Sequence, residues 1–379
     1  MESIEFINIK KIKSKHKKKR KIKNQKKAKF LKCFNYIRLK LIIFCALLIL
    51  ILYLIYLFIS IYNNNSHGFA FIKSYKSSEE NKVNSFIQES LKMQIDFCNS
   101  PDKYLNQEYE NMIILTDFGF KNINYQFYIY KEGDNYISKN IQKIKGYDFK
   151  EMGNFYDVLE HYRETKNILN KKDIYMLDIG GNLGVYPTYF GKLGYTVISM
   201  EASPRNYYIS KKNYCGVNRN AENIILINRG VSNQEKICNY YTQIKGIGNG
   251  MLKCDDNRES FNNNGFLWKK SFEVPIVKLS SFIPYLANKN LALIKLDIEG
   301  SEALVVKDAI EFITKYHIPY IYSEFSVSMI TEHGDDPKEF IKLFTDNGYK
   351  VSKEGFLGQN FIEPNSVTPG NLYFTYYGN

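Results

Sequence analysis

Cysteine and histidine are scarce in this chain, with six and five among 379 residues. No C-x-x-C pair and no Cys/His cluster occurs, so a zinc site has no ligands at a workable spacing. There is no D-x-D either. The nearest acid pairs, Asp255-Asp256 and Asp335-Asp336, lack the spacing that metal-dependent sugar transfer requires. Internal repeats are absent. The dinucleotide signature G-x-G-x-x-G fails, because Asn182 stands where its second glycine belongs when counting from Gly180. Acidic residues are nearly missing from one end: residues 1–40 hold 16 Lys/Arg against Glu2 and Glu5 alone. The other 339 residues carry 36 basic and 37 acidic side chains, so the net charge of +13 belongs to a tail.

Directly after the tail comes LIIFCALLILILYLIYLFISIY at 41–62, a run with no charge. Twenty-two residues at helical rise reach about 33 Å, enough for a hydrocarbon core about 30 Å thick. A cleavable signal peptide would be shorter and would end on small residues. The run therefore reads as a transmembrane signal anchor. Lys-rich flanks stay cytoplasmic, so KHKKKR at 15–20 orients the chain and sends everything after residue 62 across the membrane. A topology signal with affinity for anionic lipid accounts for the tail without a nucleic-acid partner. Residues 63–111, rich in Asn, Ser, Lys and Glu, read as a stem, with amphipathic spacing at 83–95. Cys98, Cys215, Cys238 and Cys254 fall on the far side of the membrane, where bridges are permitted, but their spacing names no pairing.

Residues 112–379 read as one domain. Alternating stretches at 124–130 and 134–138 suggest a β-rich lead-in, and 151–169 a helix. Strands are expected at 174–179, 196–201, 223–228, 292–297, 318–324, 349–353 and 371–377, with helices near 183–192, 204–214, 302–316 and 337–347. Strands separated by helices imply right-handed crossovers and a parallel sheet, and the last two strands are close enough to pair antiparallel. YMLDIGGNLG, from Tyr175 to Gly184, is a strand running into a glycine turn. The next strand, TVISM, ends on Glu201, placed to accept hydrogen bonds from two ribose hydroxyls. Asp178 before the turn would repel a pyrophosphate and suits a cofactor with a cationic amino-acid portion. From Leu291, LALIKLDIEGSEALVVKDA is a strand ending at Lys295, Asp297 and Glu299, followed by a helix with Ala303, Val306, Ile310 and Ile313 at helical spacing.

Taken together, LDIGGNLG, MEASPRN at 200–206, RGVSN at 229–233 and IKLDIEGSE at 294–302 resemble, in order and spacing, the FkbM-type family of S-adenosylmethionine-dependent methyltransferases. The resemblance runs from roughly Tyr125 to Tyr377. Departures are Gly181 where the family often has Ala, Ala202-Ser203-Pro204 after Glu201 in place of a Glu-Pro pair, and Leu279-Ser280-Ser281 where Leu-Asp-Asp is common. The resemblance implies a class I, Rossmann-like α/β fold: a mostly parallel seven-stranded sheet with a reversed strand and helices on both faces. It implies S-adenosylmethionine as cofactor, with Asp178, Gly180, Gly181, Asn182 and Gly184 on the methionine side. Glu201 would hold the ribose, Asn228 to Val231 would border the adenine, and Asp297 and Glu299 would face cofactor or acceptor. Glu324, ending the fifth main strand, is the first candidate base. His317, which begins that strand, belongs at the opposite end; His333 lies in a loop.

The expected protein is thus a type II membrane O-methyltransferase. Its domain would lie in the lumen of the Golgi or another secretory membrane, and its acceptor would be a hydroxyl of a glycan or glycoconjugate. A type II glycosyltransferase shares this layout but needs the missing D-x-D. A non-catalytic scaffold has no use for Asp178, Glu201 and Asp297.

Overall fold

The computed structural model describes residues 81–217, 222–263, 265–358, 360–364 and 368–378, all within one compact unit, Lys76–Asn379. The expected basic tail, the span at 41–62 and the first part of the stem lie outside these residues. Among the described residues no helix is long and apolar enough to cross a membrane.

Helix α1 covers 81–99 and α2 Gln107–Met112. Ile113–Phe120 (β1) and Ile123–Tyr130 (β2) form an antiparallel hairpin. Ile137–Ile144 (α3) and Phe149–Thr165 (α4) come after it. The α/β alternation then runs Ile174–Ile179 (β3), Val185–Lys192 (α5), Thr196–Met200 (β4), Pro204–Val217 (α6) and Ile224–Ile227 (β5). Five strands come next: Gly230–Ser232 (β6), Lys236–Gln243 (β7), Gly246–Lys253 (β8), Ser260–Asn263 (β9) and Phe266–Lys278 (β10). Alternation resumes with Ile283–Leu286 (α7), Asn290–Leu296 (β11), Glu302–Lys315 (α8) and Tyr320–Phe325 (β12). Val327–Glu332 (α9), Pro337–Thr345 (α10), Tyr349–Ser352 (β13) and Gly370–Tyr376 (β14) complete the chain.

The main sheet has seven strands in the order β13-β14-β12-β11-β3-β4-β5. It is mixed rather than parallel throughout: β12, β11, β3, β4 and β5 run parallel, while β14 is antiparallel to both β12 and β13. Period-two alternation drives the layering. In β3, Leu177 and Ile179 join one core with α8 and α10, whereas Ile174 and Met176 join another with α4 and α5. Because β3 sends its chain to β4 on one side and receives β11 on the other, a crevice opens at the carboxyl ends of these strands.

Three features depart from expectation. A second sheet, β6-β10-β7-β8 with β9 on β10, was not anticipated, because its strands are rich in Asn, Lys and Gly and read as loop. Residues 134–138 do not form a strand. The buried Asp134 carboxylate accepts from the Tyr136 and Ser138 amides (3.1 and 2.9 Å) and from Ser138 Oγ (2.6 Å), which turns the chain into α3. Helix α1, in the stretch expected as stem, is built into the domain, with Ile87 and Leu91 inside the core shared by α8 and α10. Its fully buried Gln94 pairs with the edge of β5, donating to the Ile224 carbonyl (2.8 Å) and accepting from the Leu226 amide (2.9 Å). A side-chain amide here takes the place of a further strand. The four cysteines form two disulfides: Cys98–Cys215 ties α1 to α6, and Cys238–Cys254 ties β7 to the end of β8.

Replacing Gln94 by Leu keeps the apolar contacts and leaves two buried backbone groups of β5 unpaired. A loss of about 2–4 kcal/mol is expected, read as a lowered urea midpoint with an unchanged slope.

Candidate functional site

The crevice is a cleft lined by Gly180, Gly181, Asn182, Glu201, Gly230 and Val231 on one side and by Lys295, Asp297 and Glu299 on the other. Tyr147, Tyr186 and the Gly248–Gly250 stretch of β8 complete its wall.

Its floor is made by two turns that touch. Gly180 has φ +91, and a Cβ there would lie 1.8 Å from the Asp297 carbonyl oxygen. Only glycine lets the turn after β3 approach the turn after β11 so closely. The Asp297 amide in return donates to the Ile179 carbonyl (3.0 Å). Asn182 takes a left-handed φ of 48, a conformation asparagine tolerates. Its side chain donates to the Gly248 carbonyl (3.0 Å), which also accepts from Asn206 (2.9 Å), so both amides hold β8 against the glycine turn. The Asn182 side-chain oxygen is buried and has no hydrogen-bond partner among the described residues. Gly184 does not line the cleft. It starts α5 at φ +84, with Ser210 Oγ 2.3 Å from where a Cβ would sit.

Glu201 closes the other side of the turn. Its carboxylate accepts from the amides of Asn182 (2.8 Å) and Ser203 (2.7 Å), one on each oxygen, and each oxygen retains further acceptor capacity. Burial outweighs those two donors and pushes its pKa up to about 7. Asn228 stands behind the cleft and donates to the Glu201 and Ala202 carbonyls (2.8 and 3.1 Å), while Val231 reaches the cleft itself.

Lys295 is the centre of the charge arrangement. It is 2% exposed, and its ammonium lies 3.3 Å from both Asp178 Oδ1 and Asp297 Oδ2 while donating to the Gly180 carbonyl (3.0 Å). Burial disfavours its charge, but Asp297 and Asp178 prevail and hold its pKa above the usual lysine range. Asp178 was expected beside the cofactor. The structure places it behind the turn, fully buried, because the sheet register sets it between Lys295 on β11 and Ser199 on β4. Ser199 Oγ donates to its other oxygen (2.7 Å).

Asp297 and Glu299 both reach the cleft; Glu324 does not. Glu299, in a left-handed turn at φ 56, has its pKa pushed to about 8 by burial and by Asp297. Glu302, whose carboxylate accepts from the Ile298 amide (2.8 Å), is raised to about 7, again chiefly by burial. Glu324 sits behind them at the end of β12, raised well above the carboxylate range by burial and by Glu299. Burial thus favours the protonated form of Glu324, which is set back from the cleft, whereas a general base must be free to take a proton. His317 stacks on Tyr376 (4.6 Å between ring centres), and His333 packs under Gly300 with its Nε2 buried and without a hydrogen-bond partner among the described residues. No group of three or more His, Cys, Asp or Glu among the described residues is placed to hold a metal. Sequence reasoning missed Tyr147, Tyr186 and Asn206 altogether, and the run GIGNG at 246–250 was the one available sign that a backbone passes close to the glycine turn.

Residues 178–351 match the family model described as the methyltransferase FkbM domain. No curated protein matches the sequence. Among solved structures, the chain is similar to cofactor-bound Rv0187 from MTB, with 10% identity and a TM-score of 0.31, over 60% of this chain and 81% of that one. It is similar to the bifunctional kinase-methyltransferase WbdD at 10% identity and 0.33, over 60% and 39%. The N-terminal domain of human METTL16 gives 12% and 0.30, over 60% and 70%.

Glu201, Glu299 and Glu302 all bind protons more tightly folded than unfolded. Between about pH 4.5 and pH 8 the native state therefore holds the extra protons, and raising the pH costs stability. The melting temperature is expected to be higher at pH 5.5 than at pH 8, and Glu302→Gln, which keeps the acceptor for the Ile298 amide, should flatten that slope. A melting temperature that rises over this interval would contradict the assignment.

Proposed function

Residues 178–351 belong to the FkbM methyltransferase family, and from that premise we propose that the protein is a membrane-anchored, S-adenosylmethionine-dependent O-methyltransferase acting on a hydroxyl of a glycan or glycoconjugate. The observation that carries the cofactor assignment is the contact of the glycine turn with Glu201 inside one cleft shared with Lys295, Asp297 and Glu299. The residues fit the group. Glu201 offers acceptors for two ribose hydroxyls, and the unpartnered, buried Asn182 oxygen offers one for an ammonium. Gly180 and Gly181 admit no side chain, which keeps the turn close against Asp297 and Ser199, and Lys295 and Arg229 are cations among the cleft-lining residues. Gly230 and Val231 would border the adenine, with Asn228 bracing them through the Glu201 and Ala202 carbonyls.

When bound, S-adenosylmethionine supplies a methyl group activated by a sulfonium. This chain's residues then have to place an acceptor oxygen in line with it, and positioning of that kind supplies several kcal/mol of barrier lowering. Asp297 is held at the cleft by Lys295, and Glu299, protonated near neutrality, donates a hydrogen bond to the acceptor oxygen.

The membrane assignment rests on the uncharged run at 41–62 and the 16 Lys/Arg before it. Two disulfides support a lumenal domain, because such bridges persist in oxidising compartments. A lumenal site meets glycans, and that is the basis for the acceptor class.

Calorimetry on the full-length protein in nanodiscs should detect S-adenosylmethionine and S-adenosylhomocysteine, and Glu201→Ala should weaken both by about tenfold or more, equivalent to at least about 1.4 kcal/mol. No affinity in the parent protein would remove the enzyme reading. In sealed microsomes, added protease should leave the C-terminal domain intact; its digestion would place the domain in the cytosol and end the glycan assignment.

A further inference from the structure

One buried chain of hydroxyl and carboxyl groups leaves the cleft and has no part in the roles given so far. Tyr186 lines the cleft from α5 and donates its hydroxyl proton to Asp148 Oδ2. Asp148, held at a left-handed φ of 53 just before α4, is hydrogen-bonded in turn to Glu151 one turn later. Glu151 is 6% exposed, and its Oε1 accepts from Tyr373 Oη (3.0 Å) and Asn371 Nδ2 (3.1 Å) on β14. Every donor in the chain thus points toward Glu151, leaving the Tyr186 oxygen as an acceptor.

The charges around the pair set where its proton sits. Burial and the Glu151 carboxylate push Asp148 up to about 8. Burial also acts on Glu151, but the bonds from Asp148, Asn371 and Tyr373 prevail and hold it below the usual range. Facing the pair from other elements are Asp297 after β11 and Tyr322 on β12. Lys295 lies 5.2 Å from the Tyr186 ring centre, and Lys150 lies 5.4 Å from that of Tyr373. Near neutrality the pair therefore holds one proton, on Asp148, and has one vacancy, on Glu151. Meanwhile the carboxyls nearer the cleft are spoken for: Asp297 is paired with Lys295, and Glu299 is already protonated.

We propose that Tyr186, Asp148 and Glu151 form the path by which the acceptor hydroxyl loses its proton, an inference that rests on the O-methyl-transfer reading above. As the acceptor oxygen forms its bond to the methyl carbon, its O–H bond breaks and the proton passes to the Tyr186 oxygen. Tyr186 gives its own proton to Asp148, and Asp148 gives its proton to Glu151. The electron pair of the broken carbon–sulfur bond stays on the donor's sulfur. No charge accumulates on the tyrosine. Asp148 and Glu151 act through Tyr186 and are positioning residues in this scheme.

The test uses full-length protein in nanodiscs, with labelled S-adenosylmethionine and the glycan fraction of source microsomes as probes. Infrared spectra at pH 7 should contain protonated-carboxyl absorption, shared with Glu299, from which Asp148→Asn removes one component. Tyr186→Phe and Glu151→Gln should lower kcat about 100-fold while S-adenosylmethionine affinity, read separately by calorimetry, stays unchanged. Glu151→Gln should also erase the acid limb of the rate–pH profile, and Glu151→Asp should restore part of the rate. A carboxyl band indifferent to Asp148→Asn would overturn the proposal. So would wild-type kcat and pH profile in both Tyr186→Phe and Glu151→Gln with cofactor binding intact. Failure of the parent protein to bind cofactor strikes the methyl-transfer reading itself, and the infrared band then still decides whether the pair holds its proton.

Discussion

A fully buried ammonium governs this site. Lys295 lies between Asp178 and Asp297 and also holds the Gly180 carbonyl, so one cation joins the end of β3, the end of β11 and the glycine turn. Breaking a buried pair by removing one partner leaves an uncompensated charge and costs about 3–5 kcal/mol. The two strand ends are thus locked to each other by electrostatics at the point where the sheet opens. Gly180 is required for the same reason: the ammonium draws the two turns together until no Cβ fits between them. The cleft is a consequence of that closure.

A second layer of constraint comes from the sheet that the main fold does not require. Its hairpin from β7 to β8 delivers the Gly248 carbonyl to two asparagines, Asn182 in the turn and Asn206 on α6. Tyr130 on β2 donates to Asn206 (2.6 Å), which ties the β1–β2 hairpin into the same network. Three separate parts of the chain therefore converge on the glycine turn through side-chain amides. Such networks specify geometry when each member is satisfied, and the Asn182 oxygen, on a residue that lines the cleft, has no partner among the described residues.

The main sheet was legible in the sequence because its strands are short apolar runs bounded by glycine and acid. Ile174–Ile179, Thr196–Met200 and Tyr349–Ser352 match the expected limits to within a residue. The turn, Glu201, Asp297 and Glu299 were legible as well, since strand ends at a switch point define a cleft without knowledge of packing. Asp178 is buried behind the cleft lining, because its register with Lys295 draws the carboxylate inward, and pattern alone does not reveal cross-strand register. The second sheet was illegible for a different reason. KICNYYTQ and FLWKKSFEVPIVK lack strict alternation, GIGNGMLK and SFNN are rich in Gly and Asn, and a Pro interrupts the longest strand. Helix α1 was seen as amphipathic, yet what docks it is Gln94, a polar residue inside its apolar face.

The surplus of acid around the cleft gains a physical sense from the proposed reaction. A sulfonium donor is cationic before transfer and neutral after it, so ionised carboxylates beside it would favour the reactant over the transition state. Of the acids at the carboxyl ends of β11 and β12, Asp297 is matched by Lys295, while burial keeps Glu299, Glu302 and Glu324 inclined to the neutral form near physiological pH. Neutral carboxyls donate and accept hydrogen bonds without holding positive charge in place. The raised pKa values therefore suit a site that must orient an acceptor while letting charge leave the donor, and the low dielectric that raises them follows from the close packing of turns that Lys295 enforces.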